Sequence, residues 1–147
     1  MRNNLRSLRL NKQMEGTKIP YKMLSLDPFS KWLGIEILEC ELGNCKVAMT
    51  IRKEMLNSMG KAHGGIAYSL ADTAFGFSVN TNGRFAVSIE TSINHIEALE
   101  EGDYIVAQAS LESLKNKVGF YIIEVKKGDI LVALFKGVAY RTSKEWK

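Results

Sequence analysis

Cysteine, histidine and proline each occur only twice in this 147-residue chain, and each scarcity closes off a class. Two cysteines cannot staple a disulfide-rich scaffold. His63 and His95 lie too far apart in sequence to give a zinc site much support. With two prolines and no repeat or low-complexity stretch, no linker divides the chain. No segment approaches the ~20 consecutive apolar residues of a membrane span, and the leader lacks the continuous apolar core of a signal peptide. A glycine-rich phosphate loop is missing. The net charge of +4 is spread thinly and comes with no nucleic-acid-binding motif. Acid is absent from the first fourteen residues, where Arg2, Arg6, Arg9 and Lys12 make a basic stretch read as a solvated surface. These exclusions leave a cytoplasmic protein with no membrane or nucleic-acid partner as the expectation.

What remains is a chain long enough to bury roughly two-thirds of its unfolded surface in one core, with 46% hydrophobic and 24% charged residues. Residues 1–26 read as a polar, poorly ordered leader, and residues 27–147 as the folded domain. Asp27-Pro28 through Gly34 predicts a short helical turn closed by glycine. Residues 35–40 and 45–52 alternate as two strands joined at Gly43-Asn44. Cys40 and Cys45 bracket that turn, which can bring the thiols near each other; both are expected to be reduced. One long helix is predicted over 64–80, ending before the Asn82-Gly83 turn. Residues 85–98, 104–113, 118–126 and 130–142 then read as four antiparallel strands. The result is an α+β fold in which a sheet curls round one central helix. An exposed sheet edge would invite a second subunit.

Between Lys61 and Arg84 the only charged residue is Asp72, in the middle of the predicted helix. A carboxylate is rarely buried without a partner or a purpose. The His63-Gly64-Gly65 opening can expose backbone N–H groups at the helix start, where an oxyanion is stabilised. Carboxylate plus anion-binding amides is equipment for acyl transfer. Yet Gly64 and Asp72 stand ~12 Å apart along a helix rising 1.5 Å per residue, so one helix cannot bring both to one carbonyl. A second helix lying antiparallel across a dimer interface would do so, which predicts a composite site.

Asn57, six residues before His63, together with His63-Gly64-Gly65 and Ser69-Leu70-Ala71-Asp72-Thr73-Ala74-Phe75, resembles the signature of the hotdog-fold acyl-CoA thioesterases. The likeness is greatest to the phenylacetic-acid-degradation type and continues through Asn80, Gly83, Val87-Ser88, Gly102-Asp103, Gly119 and residues 132–137. The resemblance implies that the Gly64 N–H polarises the thioester carbonyl and that Asp72 of the partner subunit is nucleophile or general base. It also implies that Asn57 and Ser88 bind substrate or hold the attacking water. His63, Gly65 and Thr73 are candidates for substrate binding, with His63 more a loop-holding residue than a base. His95 reads as core or pocket lining, and Tyr68, Phe75 and Phe77 as core. Lys115 and Lys117, with Arg141, are candidates for the coenzyme A phosphates. Where some relatives place a helical hydroxyl, this chain has Gly76.

The resemblance further implies a homodimer, assembling into a homotetramer, and hydrolysis without metal or redox cofactor, coenzyme A being part of the substrate. Two other functions fit the same fold. A hotdog hydratase or dehydratase would pair histidine with carboxylate in different motifs, behind a proline-rich approach that is absent here. A non-catalytic acyl-CoA sensor would not need Asp72, Asn57 and Gly64 together.

Overall fold

The computed structural model describes residues 2–147, leaving aside the side chains of residues 2–4 and 13. Three helices, α1 (Arg2–Gly16), α2 (Ile19–Leu26) and α3 (Pro28–Leu33), precede strands β1 (Glu36–Glu41) and β2 (Asn44–Thr50). A short 3-10 turn, Lys53–Met55, leads to the long helix α4 (Gly64–Asn80). Strands β3 (Arg84–His95), β4 (Tyr104–Lys115), β5 (Val118–Lys127) and β6 (Ile130–Glu145) complete the chain. The six strands form one antiparallel sheet in the order β1-β2-β4-β5-β6-β3, so β3 is an edge.

Side-chain alternation sets the inner face of that sheet. On β5, Gly119, Tyr121, Ile123 and Val125 are buried while their neighbours are not. Helix α4 lies across the inner face against β2 to β6. It buries Ala67, Leu70, Ala71, Ala74, Phe75, Phe77 and Val79. The Phe75 ring reaches down to Gly137 of β6, where an added Cβ would lie 2.6 Å from Cζ. Phe75 is itself packed edge-on against Tyr121 and tilted on Phe135, so the ring has nowhere to retreat. Gly137→Ala is therefore expected to cost ~1–3 kcal/mol by overpacking, read as a lower urea midpoint at unchanged slope.

Residues 2–16 and 19–26 form α1 and α2, where the polar composition suggested a poorly ordered leader. Pro20 sits in the first turn of α2, where its missing N–H costs nothing, and is buried. Met23 and Leu24 pack against the core. Gly16, at the end of α1, is pressed against the carbonyl of Thr81, an approach that only a residue without Cβ allows. A few apolar contacts thus hold a segment whose average composition is basic and polar. The sequence view of α3 holds in detail: Asp27 caps it by accepting from Ser30 N–H at 3.0 Å, and Gly34 closes it at φ +75°.

Cys40 and Cys45 are joined in a disulfide, against the expectation of two free thiols. They are direct partners across the β1–β2 hairpin, with Cα atoms 4.2 Å apart. Register alone brings the two sulfurs together. Among the described residues no helix is long and apolar enough to cross a membrane.

Candidate active site

Loop 51–63 builds the approach to α4 by pairing backbone groups with neighbours on both sides. Ile51 N–H donates to the Asp103 carbonyl at 2.8 Å, Ala62 N–H to Leu99 at 2.8 Å, and His63 N–H to Met55 at 2.8 Å. Asn57 Oδ1 accepts from the N–H groups of Met59 (2.9 Å) and Lys61 (3.2 Å), knotting the loop into a turn. That uses the carbonyl end of the amide and leaves Nδ2 without a partner among the described residues, so Asn57 serves the loop and still presents a donor.

His63 is the N-cap of α4, extended at φ −60°, ψ 137°. Its Nδ1 accepts from Gly65 N–H at 3.2 Å, and its carbonyl accepts from Ile66 N–H at 2.9 Å. The capping role fits the loop-holding reading of His63. It also engages the Gly65 amide, which the sequence had offered as substrate-binding. The Gly64 N–H, one of the orphan donors of a helix start, has no acceptor among the described residues. Asn57, His63, Gly64 and His95 line a pocket of about 330 Å³ in front of it.

Asp72 stands two turns further along α4, half-buried and with no hydrogen bond or ion pair to the described residues. Burial pushes its carboxyl above the ordinary aspartate value. Strand β3 runs back beside the helix: Tyr68 Oη and Thr91 Oγ1 are 2.6 Å apart, and His95 abuts Gly64. That alignment carries Ser88, three residues before Thr91, toward the Asp72 and Gly76 stretch of α4. Ser88 faces inward with Ala139 of β6 yet is exposed, and a Cβ on Gly76 would meet nothing. The helix flank beside Asp72 is open.

Three candidates fall elsewhere. The Thr73 hydroxyl donates to the Ser69 carbonyl at 2.8 Å and lies 3.5 Å from the Ser30 hydroxyl, on the side of α3. It ties helices together and does not face the pocket. Lys115 and Lys117 sit in the β4–β5 turn, a whole 12-residue strand from the Leu99 loop that meets the helix mouth. At about 3.3 Å per residue that is at most roughly 36 Å of strand within one protomer. Lys117 Nζ there lies over the Tyr140 ring at 5.8 Å, and Arg141 donates to the Asn116 carbonyl at 2.7 Å. A larger cleft of about 660 Å³, between α1, Trp146 and Arg84, lies at the far end of α4 from Gly64.

Helix α4 thus carries a free backbone N–H at its mouth and, two turns further on, a half-buried carboxylate with no partner among the described residues. One long helix wrapped by a six-stranded antiparallel sheet is the hotdog architecture. The chain belongs to the thioesterase superfamily, whose family model it matches over residues 59–134, and it is a thioester hydrolase. It is 41% identical to a putative esterase of Archaeoglobus fulgidus over 84% of this chain and 81% of that protein. It is 36% identical to the acyl-coenzyme A thioesterase PaaI of Escherichia coli over 82% of this chain and 87% of that one. The solved structure of the E. coli PaaI protein from the phenylacetic acid degradation operon superposes with a TM-score of 0.85 at 32% identity, covering 92% of this chain and 96% of that one.

Proposed function

We propose that the protein hydrolyses acyl-CoA thioesters in a composite site made by two antiparallel copies of α4. The observation that carries this reading is the unpartnered Gly64 N–H at the helix mouth, with the unpaired, half-buried Asp72 eight residues beyond it. In one chain the two are ~12 Å apart and cannot serve one carbonyl. An antiparallel partner brings its Asp72 opposite Gly64, and the unpaired β3 edge, with Val87 53% and Ile89 60% exposed, supplies a surface on which that partner can pair. Two such dimers would make the tetramer.

Hydrolysis then proceeds as follows. The thioester carbonyl oxygen accepts from Gly64 N–H while Asn57 and Ser88 hold substrate and water. Asp72 of the partner subunit takes a proton from the water as its oxygen bonds to the carbonyl carbon. The negative charge that develops on the carbonyl oxygen faces the positive end of α4. Collapse re-forms C=O and breaks C–S, and the electron pair leaves on the sulfur of coenzyme A. A thiol of ordinary pKa near 8.5 needs no strong acid to leave. Carboxylate, amide and water suffice, so the reading calls for no metal or redox cofactor.

The test is release of the coenzyme A thiol from a panel of aryl-, short- and medium-chain acyl-CoA substrates. Turnover supports the reading and gives the acyl class. Binding of acyl-CoA without turnover would make the protein a sensor instead.

A further inference from the structure

His95 is the last residue of β3 and, with Thr91 and Ile93, belongs to the inner face of the sheet. Its ring lies against the Cα of Gly64. A Cβ on that glycine would stand 3.2 Å from His95 Nε2 and 3.4 Å from Cε1, so the edge bearing Nε2 faces the helix mouth. The side chain is exposed in the same pocket of about 330 Å³ and makes no hydrogen bond or ion pair with the described residues. Nothing in the fold explains a free imidazole edge there.

The amides of α4 give that edge a use. Gly65 N–H is held by His63 Nδ1 and Ile66 N–H by the His63 carbonyl, so Gly64 alone of these three is free. A tetrahedral oxyanion has room for more than one donor, and side-chain donors often join backbone amides around it. We propose that His95 is a further catalytic residue, its Nε2–H being the second donor to the thioester carbonyl oxygen beside Gly64 N–H. The proposal rests on the thioesterase reading. No proton changes hands at His95: Nε2 keeps its hydrogen throughout. The hydrogen bond strengthens as water adds to the carbonyl carbon and charge gathers on oxygen. It relaxes when C=O re-forms and the C–S electron pair departs with sulfur.

The experiment compares wild type, His95→Phe and His95→Gln in steady-state hydrolysis of an acyl-CoA that the wild type turns over, with thermal melts alongside. Phe keeps a ring of similar volume without a donor, and Gln restores an N–H at similar reach. His95→Phe is expected to lower kcat by ~10²-fold with KM changed less than ~3-fold, as for a lost oxyanion donor, at an unchanged melting midpoint. His95→Gln is expected to recover at least ~10-fold of that loss. Wild-type kcat in His95→Phe would overturn the proposal while leaving the thioesterase reading intact. A loss confined to KM, or no recovery in Gln, would overturn it too. Absence of hydrolysis by the wild type would overturn both readings, and shows itself before any substitution is made.

Discussion

Asp72→Asn should abolish at least ~99% of turnover, a fall in kcat of ~10² or more, while the protein stays folded and assembled. The substitution keeps size and shape and removes only the basic oxygen. Asp72 holds no hydrogen bond or ion pair in the structure, so no network collapses with it. The melting midpoint should be at or above that of the wild type. Burial raises the folded-state pKa of Asp72 above its unfolded value. Its contribution to stability is therefore full below the ordinary aspartate pKa and is lost as pH rises through the raised one. At neutral pH the carboxylate is charged at a net cost, and asparagine removes that cost. An activity loss accompanied by a lower melting midpoint would instead make Asp72 a structural residue.

The same raised pKa sets the pH profile. In the proposed mechanism Asp72 works as its carboxylate, so kcat/KM should climb with pH along an acid limb reporting its pKa in the free enzyme. That limb should lie above the value near 3.9 of an ordinary aspartate, because burial shifts it upward. In Asp72→Asn any residual activity should lose the limb. A wild-type profile flat down to the ordinary carboxylate range would remove Asp72 from the reaction.

Much of this arrangement is legible in the sequence because a few features leave the chain little choice. An apolar stretch interrupted only by Asp72 must be a covered helix, and four alternating strands after it are what covers it. His63 at the cap and Gly64 as free donor follow from the His-Gly-Gly opening. Other features depend on neighbours that spacing does not reveal. Thr73 has the right residue type next to Asp72, but a step of one residue turns it about 100° round the helix, toward Ser30. Lys115 and Lys117 suit the coenzyme A phosphates by charge and by likeness, while the length of β4 sets them at the other end of that strand from the Leu99 loop. Residues 19–24 pack because of particular apolar positions that a basic average conceals. His95 carried a usable signal. Strand β3 leaves α4 through a tight turn and runs back along it, and at about 3.3 Å against 1.5 Å per residue it overtakes the helix within its own length. The second half of β3 must therefore reach the first turns of α4.

Two inactive variants should restore activity to each other, and this is the sharpest consequence of a site shared by two chains. Gly64→Pro removes the oxyanion N–H at the first helical position, where proline is well tolerated. The preceding residue, His63, already has the extended backbone that precedes proline, at φ −60° and ψ 137°. The added Cβ comes 3.2 Å from His95 Nε2, so Gly64→Ala, which brings the same Cβ and keeps the N–H, is the control for crowding. Homodimers of Gly64→Pro and of Asp72→Asn should each retain ~1% of wild-type activity or less, since both of their sites lack one half. In a hybrid dimer both defects fall in one site. The other combines an intact Gly64 from one chain with an intact Asp72 from its partner. Hybrids purified through two different tags should therefore show about half the wild-type activity per dimer, as the proposed two-fold dimer requires. If each chain held a complete site of its own, every site in the hybrid would carry one defect. Activity would then stay at the level of the parents.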